Sequence, residues 1–303
     1  MLCTRRDVGK LALSAIPGAS LLPKLTLSPA KPDSKVAGVQ IGLNVPYNFG
    51  NPAMSGGDIL RNCVQLGVSA VELRSQPVEA FLGVPANLVA RGAGAGAAAE
   101  LRKWRLAIPM EKVKAFRRMY EDAGVRIEIV KFDGIYALTD DVVDYCFELT
   151  RTLGARALSC EISLDDTKRL GQFADKHQLM VGYHGHAETT PHIWETAFGY
   201  AKHNGANVDL GHFIAGNNTS PAPFITQHHD RITHVHVKDR KLNNGPNVPF
   251  GQGDTPIKEV LRLIRDHKWN IQATIEFEYP VPPGSDRMTE MAKCVQFCRA
   301  ALA

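Results

Sequence analysis

The stretch Arg231-Ile-Thr-His-Val-His-Val-Lys-Asp239 places two imidazoles, an ammonium and a carboxylate within its last six residues. Read as a β-strand, it alternates side chains between two faces. His234, His236 and Lys238 then share one face, and Val235 and Val237 the other. Such a strand suits a back packed on helices and a front looking into a polar, chemically active cavity. Other segments repeat the arrangement. Ser159-Cys-Glu161 sets Glu161 opposite Leu158, Cys160 and Ile162, and Tyr183-His-Gly-His186 puts His184 and His186 on one face. Asn207-Val-Asp-Leu-Gly-His212 points Asp209 away from Val208 and Leu210, and Ile275-Glu-Phe-Glu278 offers Glu276 and Glu278 together.

One carboxylate inside a strand is ordinarily a satisfied salt bridge, and one histidine ordinarily a core or surface residue. Five consecutive strands delivering Asp, Glu or His to the same end is a different observation. Packed without a cation, Glu161, Asp209 and Glu276 would repel one another and cost several kcal/mol each in desolvation. A mixed carboxylate and imidazole shell suits one divalent ion such as Mn²⁺, Co²⁺, Zn²⁺, Fe²⁺ or Mg²⁺.

The elements that must position these groups repeat one pattern: a short β-branched run, a turn and an amphipathic stretch. Strands are expected over 36–45, 69–74, 125–132, 155–163, 179–186, 205–212, 232–239 and 272–279, with helices such as 58–66, 110–123, 140–153 and 256–267 between them. Gly67, Gly124 and Gly154 follow helices where a left-handed cap is needed. Eight such units argue for a single (β/α)8 TIM barrel rather than a doubly wound sheet. In strand two, Glu72 and Arg74 fall on the lumen face, opposite Val71 and Leu73, and are expected to meet substrate. The insertion after that strand, 75–109, carries the Ala/Gly-rich run 91–99 and then Leu101-Arg-Lys-Trp-Arg-Leu106. It reads either as a flexible lid closing Trp104 and Arg105 over substrate or as an insertion packed by a helix.

The set Tyr-His-Gly-His, Asp-Leu-Gly-His, His-Val-His-Val-Lys-Asp and Ile-Glu-Phe-Glu-Tyr, in that order, resembles the xylose isomerase-like barrel superfamily of sugar phosphate isomerases and epimerases. The likeness covers essentially the whole chain after residue 30. Leu101–Leu106 and Asp122-Ala-Gly-Val125 look closer still to exported relatives that act on 3-keto-glucosides as lyases or epimerases. The resemblance implies a metal held by Asp209, His236 and Glu276. Relatives often place a glutamate at the end of strand five, where this chain has His184 and His186. Either a histidine has taken that place or Glu161 reaches across from strand four. The reading taken here sets Glu161 and His186 near the metal and His184 toward substrate.

The reaction such a site supports is proton abstraction beside a carbonyl, with the metal as Lewis acid holding an enediolate and Glu161 or His184 as base. Lys238 would polarise the carbonyl or pair with Asp239 or Glu278; His212 would bind a substrate hydroxyl or cap the next loop. Epimerisation, isomerisation and β-elimination from a 3-keto-glycoside share this step, so the expected activity is a metal-dependent isomerase or epimerase of a keto-sugar or 3-keto-glycoside, with a lyase as the alternative. Gly251-Gln-Gly-Asp254 could cradle a phosphate, or make a tight turn with Asp254 capping a helix.

The 303 residues are 44% apolar and 22% charged, normal for a chain with a full core, and the formal charge is only +4. No basic run marks a nucleic-acid surface, which counts against an apurinic-site endonuclease on the same barrel; a non-catalytic sugar-binding barrel would be expected to lack ligands. The expected partner is a small-molecule carbohydrate, with homo-oligomerisation left open. Thr4-Arg-Arg-Asp7, the apolar run 8–27 and Ser28-Pro-Ala30 resemble a twin-arginine export signal cleaved near Ala30. That implies a periplasmic protein of residues 31–303 without a stable membrane anchor. Of six cysteines, Cys3 would leave with the signal, and no Cys-x-x-Cys spacing occurs.

Overall fold

The computed structural model describes residues 31–303 apart from 91 and 93, and the side chain of 95; the export segment lies outside the described residues. Eight strands alternate with helices: β1 (Val39–Val45), β2 (Ala70–Arg74), β3 (Arg126–Lys131), β4 (Ala157–Glu161), β5 (Met180–His184), β6 (Asn204–Asp209), β7 (Ile232–Val237) and β8 (Gln272–Ile275). Each pairs in parallel with the next, and β8 returns to β1 through Ile41↔Ala273 and Leu43↔Ile275, closing a barrel. Lys35–Val36 adds a short antiparallel pairing to β1.

The alternation decides which residues meet helices. Ile41, Leu43, Val71, Leu73, Leu158, Val181, Val208, Val235 and Ile275 are buried on the outer face, each contributing about 1.5–3 kcal/mol of hydrophobic stabilisation. The lumen is polar instead, holding Asn44, Glu72, Lys131, Ser159, Asn207, His234 and Gln272, all buried. Two glycines make room for this filling. A Cβ at Gly42 would stand 2.5 Å from Gln272 Nε2, and one at Gly182 would stand 2.2 Å from Thr233 Oγ1. Gly67, Gly124 and Gly154 have φ of +66°, +80° and +80°, the conformation their helix ends require.

Several strands end earlier than their β-branched pattern suggests. β6 stops at Asp209, because Asp209 Oδ1 accepts from the His212 amide at 2.8 Å and caps the helix Leu210–Asn217. β8 stops at Ile275, leaving Glu276 just past the ladder.

The insertion forms the helices Ser75–Phe81, Ala86–Val89 and Ala95–Ala107. Its two expected substrate residues are both engaged by other parts of the protein. Arg105 donates to Glu79 at 2.7 and 3.0 Å, and Glu79 is only 3% exposed. Trp104 is half-buried against the core, and Arg102 pairs with Asp141 on the helix Asp140–Thr152. Charge pairing and aromatic burial hold this helix on the barrel flank.

The Gly251–Asp254 loop is filled from within. Buried Asp239 accepts from the amides of Gly251 and Gly253 at 2.7 and 2.9 Å and from Thr255 at 3.3 Å. Asp254 accepts from the Leu242 amide rather than capping the helix Ile257–His267. The phosphate cradle considered from the sequence is therefore an internal carboxylate cradle.

Replacing Arg105 by Ala leaves Glu79 buried without its main partner. The expected loss is about 2 kcal/mol in urea unfolding, with metal uptake unchanged; a change confined to metal uptake would place Arg105 in the site after all.

Candidate active site

The barrel's closing strands bring four donors together. His184 ends β5, Asp209 ends β6, His236 lies on β7 in register with Asp209, and Glu276 follows β8. All four are buried, and one ligand atom from each lies within 4.8 Å of the others. His184 Nε2 is 3.5 Å from Asp209 Oδ2, while His236 Nδ1 is 3.7 Å from Asp209 Oδ2 and 3.4 Å from Glu276 Oε1.

Each of these residues is fastened by its outer polar atom and turns the other inward. His184 Nδ1 bonds Glu161 Oε2 at 2.8 Å, and Asp209 Oδ1 accepts from the His212 amide. His236 Nε2 bonds Glu72 Oε2 at 2.6 Å, and Glu276 Oε1 accepts from Asn44 Nδ2 at 2.8 Å. Of the remaining atoms, His184 Nε2 and His236 Nδ1 are buried without a hydrogen bond, and Asp209 Oδ2 and Glu276 Oε2 face only the Lys238 ammonium, at 3.0 and 2.7 Å. Unsatisfied buried polar atoms are costly, and two imidazole nitrogens with two carboxylate oxygens form a donor set that fits one divalent cation. The Glu161–His184 and Glu72–His236 pairs are the outer carboxylate contacts that fix the tautomer and orientation of ligating histidines.

This geometry redistributes the residues expected at the site. His184 joins Asp209, His236 and Glu276, whereas Glu161 and His186 form a group with His184 nearer solvent. Glu161 Oε2 also bonds His186 Nε2 at 2.8 Å, and Oε1 meets Lys131 Nζ at 2.7 Å. Burial pushes the Glu161 carboxyl upward, but the bonds from His184 and His186, with Lys131, overcome it and hold it far below the ordinary range. Glu72, expected at substrate, is sealed beneath His234 and His236 with no exposed side chain. Burial likewise opposes its charge, and the two histidines hold it ionised. His234 bonds Thr233, and its own burial lowers it to about 4.

Lys238 is 1% exposed, and its ammonium stands 2.6 Å from Glu278 Oε2, 2.7 Å from Glu276 Oε2 and 3.0 Å from Asp209 Oδ2. It also meets His212 Nε2 at 2.9 Å, and Arg240 meets Nδ1 of the same ring at 2.7 Å. Burial drives His212 down to about 4, so it faces the mouth neutral. Arg74 pairs with Asp133 and lines, with Tyr47, Gln76 and Arg287, a cleft of about 520 Å³. Tyr47 donates to Glu278 Oε1 at 2.5 Å, joining that cleft to the Lys238 cluster. A second cleft of about 660 Å³ shares Pro52 and Gln76 with the first and is lined by Met54, Pro77, Ala80 and Val89.

Three participants escaped the sequence reading. Lys131, Asn44 and Tyr47 carry no motif; strand parity alone marks Lys131 and Asn44 as lumen residues.

Residues 151–300 match the family profile described as xylose isomerase-like TIM barrel. A xylose isomerase domain protein from Planctomyces limnophilus superposes with a TM-score of 0.62 at 15% identity, over 88% of this chain and 97% of that one. A xylose isomerase-like TIM barrel protein from Mycobacterium smegmatis, in complex with magnesium, gives 0.56 at 14%, over 88% and 97%. The D-psicose 3-epimerase of Clostridium cellulolyticum H10, with D-tagatose, gives 0.59 at 10%, over 87% and 99%. No curated protein matches the chain. The profile covers 150 of the 303 residues, just under half of the chain, and the closed eight-stranded parallel barrel is a TIM barrel. At these identities the solved structures speak for the fold, which is one that sugar 3-epimerases also have.

Titration with Mn²⁺ by calorimetry separates the two shells. Glu161→Gln should lower affinity about tenfold to a hundredfold, as an outer carboxylate does. His184→Ala, Asp209→Asn and Glu276→Gln should each lower it further, and His186→Ala should leave it unchanged. Unchanged affinity in His184→Ala would remove His184 from the ligand set, and an equal loss in His186→Ala would add His186 to it.

Proposed function

We propose that the chain is a divalent-metal-dependent isomerase or epimerase of a keto-sugar or 3-keto-glycoside. The observation that carries this reading is the set of four inward-turned atoms from His184, Asp209, His236 and Glu276, each on a residue fastened from behind. A divalent ion bound there would polarise a sugar carbonyl and acidify the neighbouring C–H.

The protein's own part is to move that proton. Glu161 accepts from His186 Nε2, which leaves Nδ1 of the ring as the acceptor, and the imidazole is about half exposed. Glu161 itself, held by Lys131 and two histidines, is too strongly stabilised as a carboxylate to be an effective base. We therefore assign it the orientation of His186 and His184, and we assign proton transfer to His186. Lys238 and neutral His212 offer polar contacts at the mouth, while Arg74 and Tyr47 line the cleft for the rest of the sugar. With the base on one side only, return of the proton to the neighbouring carbon is isomerisation, and return to the opposite face needs a second donor.

Loss of a β-oxygen is the second reading. It is favoured by the apolar cleft at Met54, Pro77, Ala80 and Val89, which continues from the Arg74 cleft and offers room for an aglycone. On the twin-arginine segment we also place the enzyme in the periplasm, where free sugars and glycosides rather than sugar phosphates would be its substrates.

Metal-loaded protein incubated in D₂O with a panel of ketoses and 3-keto-glycosides should incorporate deuterium beside the carbonyl; a new epimer marks epimerase and a freed aglycone marks lyase. Absence of exchange across the panel would overturn the proton-transfer chemistry for those substrates. His186→Ala should lower kcat by about a hundredfold or more while metal uptake persists. The Glu161 bond holds His186 above its ordinary 6.5, and only the neutral ring accepts a proton. Activity should therefore fall as pH drops through a value above 6.5, and Glu161→Gln should move that limb downward. An unmoved limb would take His186 out of this role.

A further inference from the structure

We infer that Lys238 sets how tightly the four-residue site holds a divalent cation, because its ammonium competes for two of the four inward atoms. The inference rests on the metal reading above. Nζ lies 3.0 Å from Asp209 Oδ2 and 2.7 Å from Glu276 Oε2, the same oxygens that would ligate a cation. At such separations two cations repel strongly, more so in a water-poor site. A divalent ion and the ammonium therefore cannot both keep short contacts with these oxygens.

The structure also provides a second seat for the ammonium. Glu278 Oε2 is 2.6 Å from Nζ and lies outside the four-residue group. Its carboxylate is held by Tyr47 at Oε1 and by Asn247 Nδ2 at 3.2 Å from Oε2. The lysine stem is confined beside Gly211, where a Cβ would approach Lys238 Cγ to 2.9 Å. The ammonium can thus retreat toward Glu278 and His212 Nε2 without leaving the site. Asp209, Glu276 and Glu278 are three carboxylates, which one ammonium and one divalent ion balance without excess. Lys238 weakens binding at Asp209 and Glu276, and Glu278 limits how much.

Calorimetric titration of the full chain with Mn²⁺, alongside thermal melting with and without the ion, tests this. Lys238→Met should bind Mn²⁺ at least tenfold more tightly than the unaltered chain, with a larger Mn²⁺-induced rise in Tm. Lys238→Gln, which keeps a polar head without the charge, should act in the same direction. Glu278→Gln alone should weaken Mn²⁺ binding because the ammonium loses its second seat, and it should have little effect when combined with Lys238→Met. Equal or weaker binding by both folded lysine variants would overturn the inference, as would a Glu278→Gln effect of the same size in both backgrounds. Absence of Mn²⁺ uptake by the unaltered chain and by every variant would overturn the metal reading itself, and this inference with it.

Discussion

A carboxylate or an imidazole can face the dry end of a barrel only if its far side is bonded, and this constraint organises the whole mouth. His184 has Glu161 behind it, His236 has Glu72, Glu276 has Asn44, and Asp209 has the first turn of its own following helix. The outer partners are themselves anchored. Lys131 meets Glu161 from β3, and His234 meets Glu72 from one layer deeper. Carboxylates thus alternate with imidazoles and a lysine down the lumen, so that no carboxylate of the array is buried without a bonded partner.

The array determines what the strands must be. Alternation alone would let any polar residue face inward, but stacking Gln272, His234 and Thr233 in one cross-section requires that Gly42 and Gly182 present no side chain there. The outer face is under no such demand and is filled with Val, Leu and Ile that helices cover. Fold and site therefore use the same eight strands on opposite faces; the helices hold the barrel closed, and the helix Leu210–Asn217 also supplies the amide behind Asp209.

Strand parity made much of this legible. Val235 and Val237 against His234, His236 and Lys238 is enough to set a face, and the repeat of β-branched runs and capping glycines is enough to suggest eight units. What parity could not resolve is depth. His184 and His186 share a face two residues apart, and only closure of the barrel shows that His184 enters the buried group while His186 remains half-exposed. Glu161 and Glu72 share the sign and chemistry of a ligand, yet each stands one step behind a histidine, a distinction of side-chain reach. The register shifts between Val71 and Glu72 and between Ala206 and Asn207 alter which rungs face one another, and periodicity does not report them. Between the lid and the helix-packed insertion, the sequence offers no choice for Trp104 and Arg105, because the buried acceptor Glu79 is an unremarkable residue in sequence.

The loop from Pro249 to Thr255 has one more consequence. Its amides at Gly251, Gly253 and Thr255 form the sort of concavity that elsewhere grips oxyanions, but Asp239 already occupies it. A ligand bearing a phosphate would find those donors already engaged. The loop is thus an anion grip closed from inside by the protein's own carboxylate.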